Sequence, residues 1–165
     1  MDRFRLRLQV VVLAIGTAFA WYTLADDYRR YFSAGGRMFE WSGCVVINPL
    51  LTPCFYGAFA FLAAFVWALV LLRSAPEAVT RRQRGLNRLL VAGTVFAWGN
   101  FAYEMFLYSA QRPPSAFSCP PPGEAAVHPL TMPCFYGAWI FLVALAVSRS
   151  ILRARSAYAA RNGHA

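Results

Sequence analysis

Four stretches of this chain run without a charged residue: 8–24, 55–72, 89–103 and 135–148. With a few flanking residues, each reaches the roughly 20 residues that an α-helix needs to cross a hydrocarbon core of about 30 Å. None shows the one-sided polar face of a soluble amphipathic helix. Buried helices of a soluble protein can be this apolar, but four in a chain of 165 residues would leave little to cover them. Hydrophobic residues make up 59% and charged residues only 14%, against about 45–50% and 25% in ordinary soluble domains. The sequence therefore predicts one all-α membrane domain, a bundle of four transmembrane helices.

The chain also repeats itself. "NPLLTPCFYGA" (48–58) returns as "HPLTMPCFYGA" (128–138), with eight of eleven positions identical. "GTAFAWYTLADDYRRY" (16–31) aligns without gaps to "GTVFAWGNFAYEMFLY" (93–108), with seven of sixteen identical. Two tandem helix-loop-helix halves follow: repeat one over 1–73, a cytoplasmic loop over 74–88, repeat two over 89–153 and a basic tail over 154–165. The first apolar run has the basic start and the Ala18-Phe19-Ala20 pattern of a cleavable signal. Its match to the internal helix over 93–108 predicts that it is retained. Because each half crosses twice, the halves are parallel repeats about an axis along the membrane normal. The inverted repeats of many secondary transporters are absent.

All sixteen basic residues are arginine. Twelve lie in the N-terminal tail, the 73–88 segment and the C-terminal tail; only Arg29, Arg30, Arg37 and Arg112 fall in the two long loops. By the positive-inside rule both termini are cytoplasmic, and the loops near 28–53 and 109–133 lie outside the inner membrane. The net charge of +9 is then a topology signal and a contact for anionic membrane lipid, not a nucleic-acid footprint.

Both copies of the repeated phrase stand where an outer loop enters a helix. Proline suits the first helical position because its missing N–H would be unpaired there. Thr52 is a candidate cap for the first copy, whereas Met132, at the same place in the second, cannot cap. Gly57 with Ala64, and Gly137 with Ala144, form small-residue stripes. Gly16-x-x-x-Ala20 and Gly93-x-x-x-Ala97 offer matching surfaces for close helix packing.

The four cysteines, Cys44, Cys54, Cys119 and Cys134, all fall on the outer side. An oxidising location favours disulfides, and pairing within each half gives Cys44–Cys54 and Cys119–Cys134. Each would close a short loop and contribute about 3 kcal/mol by loop-closure entropy. The other reading is thiol–disulfide exchange, because a helix N-terminus favours thiolate at Cys54 and Cys134. In topology and cysteine placement the chain resembles the disulfide-bond formation protein B family, and more loosely the vitamin K epoxide reductase family. That resemblance implies Cys54 or Cys134 as the quinone-side thiol and Cys44 or Cys119 as loop thiols exchanging with a partner oxidoreductase. The families' Cys-x-x-Cys motif is absent.

Only His128 and His164 exist, so bis-histidine haem ligation within the bundle and a histidine-rich metal site are excluded. Asp27 and its counterpart Glu104 form a possible polar site at the outer helix ends, with pairing to Arg29, Arg30 or Arg112 as the simpler expectation. Aromatic residues crowd those same ends, which predicts an ordered outer layer. Two functions fit. One is a non-catalytic accessory or assembly subunit with no cofactor, presenting a disulfide-pinned cap to a membrane partner or a second copy. The other is a quinone-linked thiol–disulfide oxidoreductase.

Overall fold

The computed structural model describes residues 2–37, 48–110 and 129–162. These form four α-helices and no strand: α1 (Asp2–Ser33), α2 (Pro53–Leu72), α3 (Pro76–Ser109) and α4 (Pro133–Asn162). Single 3-10 turns, Pro49–Leu51 and Pro129–Thr131, lead into α2 and α4. α1, α2 and α4 are long and apolar enough to cross a membrane.

Proline opens α2, α3 and α4, as its missing N–H allows. The Thr52 hydroxyl does not cap α2; it donates instead to the Pro49 carbonyl at 2.7 Å. Asn48 caps the preceding turn, its Oδ1 accepting from the Leu50 amide at 3.0 Å. The entrance to α4 keeps the same backbone bond. Its Met132 N–H reaches the Pro129 carbonyl as the Thr52 N–H reaches that of Pro49. A hydroxyl at this position is therefore unnecessary.

The segments expected as a loop over 74–88 and a tail from 154 are helical almost throughout. Only residues 73–75 separate α2 from α3. There Ser74 Oγ donates to the Val70 carbonyl at 2.7 Å and accepts from Arg82 Nη1 at 2.6 Å. Arginine, alanine and leucine are good helix formers. Val79, Gln83, Leu86 and Leu90, spaced by four, three and four, are all buried, so the arginine-rich segment carries a core-facing stripe. The charges simply occupy its other faces.

α1 packs between α2 and α4, and α3 packs between the same two helices on the opposite side. α2 and α4 touch across the centre, whereas α1 and α3 do not approach. Leu6, Gln9, Leu13, Ala20 and Leu24 turn inward on α1, and Ala58, Phe61, Ala64, Ala68 and Leu71 on α2. Three- and four-residue spacing is the signature of one helical face. The outward faces stay apolar: Val11 is 53% exposed, Ile15 59% and Val95 68%. Such faces suit hydrocarbon rather than water.

Where α1 meets α2 and where α3 meets α4, close approach requires glycine. A Cβ on Gly16 would lie 2.5 Å from the Phe61 ring, and one on Gly93 would lie 2.6 Å from the Phe141 ring. Gly57 differs from the expectation of tight packing, since among the described residues no atom beyond its own helical turn lies within 4 Å of its missing Cβ. Gly137 meets only the edge of Phe61, at 4.0 Å. Both glycines border open space instead. Ala64 and Ala144 are fully buried, Ala20 nearly so, and Ala97 packs partly buried against the core.

Candidate functional site

The repeated Pro-Cys-Phe-Tyr-Gly-Ala phrase places a cysteine second in α2 and second in α4. Because α2 and α4 meet across the centre, Cys54 and Cys134 face each other although 80 residues separate them in sequence. Their sulfurs are 2.9 Å apart and both side chains are half-buried. Closure of that gap by less than about 1 Å would form a disulfide. The pairing expected from the sequence joined each of these cysteines to one in its own half. Cys44 and Cys119, the partners in that scheme, lie outside the described residues.

Beside the sulfurs lies a partly open cavity of about 60 Å³. Its wall is built from counterpart residues of the two halves. Phe19 answers Phe96, Ala20 answers Ala97, Gly57 answers Gly137, and Phe61 answers Phe141. The cysteines complete the wall from α2 and α4. Its two polar side chains, Thr23 and Asn100, are counterparts as well, and both direct their donors into their own helices. Thr23 donates to the Ala20 carbonyl at 2.9 Å, and Asn100 Nδ2 to that of Phe96 at 2.7 Å. Their side-chain oxygens remain as acceptors in an otherwise apolar and aromatic wall.

The two acidic candidates gather at this place. Asp27 stands within electrostatic range of both sulfurs, and Glu104 within range of Cys134. The expected pairing of Asp27 with arginine is not what forms. Arg29 and Arg30 each hold its neighbour Asp26, at 2.8 Å, because the i,i+3 and i,i+4 spacings place all three on one helix face. Arg112 lies outside the described residues.

Aromatic rings surround the helix ends. Trp21 meets Phe59 edge-on at 5.3 Å, and their counterparts Trp98 and Trp139 meet at 5.4 Å. Phe55 and Phe59 stand 4.8 Å apart, and Phe101 and Phe135 stand 5.0 Å apart. These are ordinary edge and tilted separations for packed rings. These rings pack against one another at the helix ends, while Tyr22 and Phe106 remain 73% and 61% exposed.

A second polar cluster lies toward the opposite end. Gln83 Nε2 donates to Gln9 Oε1 at 3.1 Å and to Ser148 Oγ at 3.0 Å, and Ser148 Oγ reaches Asn87 Oδ1 at 3.2 Å. Gln9, Gln83 and Ser148 are fully buried, and Gln9 Nε2 and Gln83 Oε1 have no partner. In repeat register these positions correspond to Leu86, Leu6 and Ala68, so the cluster breaks the likeness of the two halves. Sequence reading missed it. The available signal was a glutamine inside the first apolar run and another at the buried spacing of α3.

Among the described residues, no three of His, Cys, Asp and Glu stand together as a metal site. No family model, curated protein or solved structure matches this chain.

Proposed function

We propose that this chain is an inner-membrane thiol–disulfide protein in which Cys54 and Cys134 form one redox pair, coupled to a quinone-type carrier in the axial cavity. The observation that carries this reading is the 2.9 Å approach of two cysteines in the wall of an aromatic, nearly apolar cavity. Such cavities with a few polar groups suit flat apolar ligands.

The proposed topology is four spans in two tandem parallel hairpins with both termini cytoplasmic. α3 supplies the fourth span through residues 89–109, whose Val95, Phe96 and Phe106 lie exposed on its surface. Twelve of sixteen arginines then fall on the inner side, as the positive-inside rule asks.

The step balances. Two thiols lose two protons and two electrons as the Cys54–Cys134 bond forms; the quinone gains both and leaves as quinol, with two new O–H bonds. In this reading Asp27, within electrostatic range of both sulfurs, takes a thiol proton, and the Thr23 and Asn100 oxygens accept from the quinol hydroxyls. Electrons return to the disulfide from an outside dithiol partner, by thiol–disulfide exchange at Cys44 and Cys119.

The small volume of the cavity, about 60 Å³, favours a second reading. In it the same bond is a permanent brace between the hairpins of an accessory subunit, and no cofactor is involved. The two are separated by adding a short-chain quinone to the reduced protein without oxygen. The redox reading predicts quinol in proportion to protein, lost in Cys54→Ser and Cys134→Ser but kept in Cys44→Ser. A brace produces no quinol in any of them.

A further inference from the structure

We propose a phosphate-binding site in the cleft between the start of α3 and the end of α4, remote from the cysteine pair and independent of its chemistry. The cleft has a volume of about 480 Å³ and is lined by Thr80, Arg84, Leu152, Arg153, Arg155 and Ser156. Of its six described lining residues three are arginines, two carry hydroxyls and none is acidic.

Arg84 and Arg153 are exposed and form no ion pair among the described residues. They approach the cleft from different helices, so a ligand between them is gripped from both sides. Arg155 Nη1 donates to Thr80 Oγ1 at 3.3 Å. This leaves the Thr80 hydroxyl proton available to an anion. Guanidinium groups bind phosphate oxygens in paired, charge-assisted hydrogen bonds. Basic clefts between helices at the inner membrane surface suit anionic headgroups. The general inward bias of arginine explains a basic face, but not a roomy cleft with two hydroxyls between Arg84 and Arg153.

The ligand chemistry is a phosphate monoester or diester anion, from a lipid headgroup or from solution. The test uses the full chain in phosphatidylcholine nanodiscs. One arm adds phosphatidylglycerol and measures its retention by native mass spectrometry; the other titrates inorganic phosphate by calorimetry. The variants are Arg84→Gln/Arg153→Gln and, as a charge-matched control, Arg7→Gln/Arg161→Gln. Each arginine near a membrane surface is worth about fivefold, so the cleft variant should weaken phosphatidylglycerol binding at least tenfold and the control should not. Loss confined to the first arm assigns a lipid headgroup; loss in the titration assigns a free phosphate. Equal binding by all three proteins overturns the site, as does equal loss in the control.

Discussion

Phe61 and Phe141 stack face to face across the bundle centre, ring centroids 3.8 Å apart and planes inclined by 22°. Each ring also lies against a glycine of its own hairpin, Gly16 or Gly93. This quartet sits below the cysteine pair and sets how closely α2 and α4 can meet. Gly16→Ala would push a methyl to 2.5 Å from Phe61 and 2.9 Å from Ile140. Overpacking of this kind costs typically 1–3 kcal/mol. Gly57→Ala meets open space and gains up to about 1 kcal/mol of helix propensity. Thermal unfolding in detergent should therefore rank Gly16→Ala below the wild type and Gly57→Ala at or above it.

The buried glutamine cluster makes a sharper test of energetics. Gln83→Leu strips Gln9 Oε1 and Ser148 Oγ of their donor, and a buried polar atom left unpaired costs about 1–3 kcal/mol. The double change Gln9→Leu/Gln83→Leu recreates the leucines found at the counterpart positions, Leu86 and Leu6. Chemical unfolding should find the double variant more stable than Gln83→Leu alone. A double variant that loses the sum of both single effects would contradict the network.

How much of this was legible in the sequence varies with the range of the interactions involved. The apolar runs gave the helices because helical hydrogen bonds are local. The extra turns of α3 and α4 were hidden because arginine reads as a loop signal when its charge is weighed above its helix propensity. Cys54 and Cys134 carried no spacing signal, as their approach depends on how two hairpins dock. Gly57 and Gly137 looked like packing glycines, yet which side of a small-residue stripe faces a neighbour is also a docking outcome. Asp27 and Asp26 were separable in principle, since the i,i+3 and i,i+4 partners Arg29 and Arg30 favour Asp26.

Asp27 is expected to matter for proton transfer and Asp26 for little. General-base assistance is worth about 10²–10⁴-fold, so Asp27→Asn should slow quinol formation by at least about 10²-fold with unfolding unchanged. Asp26→Asn removes two solvent-screened surface ion pairs, which contribute little, and should leave the rate alone. Equal rates for Asp27→Asn and the wild type would remove Asp27 from the proposed step.

Topology is checked by single-cysteine labelling. With the native cysteines replaced by serine, Arg82→Cys should react with an impermeant thiol reagent only after the membrane is opened. Ser115→Cys should react in intact cells. Labelling at position 82 in intact cells would reverse the orientation and place the cysteine pair on the reducing side.

The central claim is that Cys54 and Cys134 form one pair that cycles. The most direct measurement is a non-reducing peptide map of the full chain, reduced, freed of oxygen and then given one equivalent of quinone. A new cross-linked peptide joining residues 54 and 134, absent before the quinone was added, is the predicted result. Persistence of both as free thiols, or their recovery linked to Cys44 and Cys119, would contradict it.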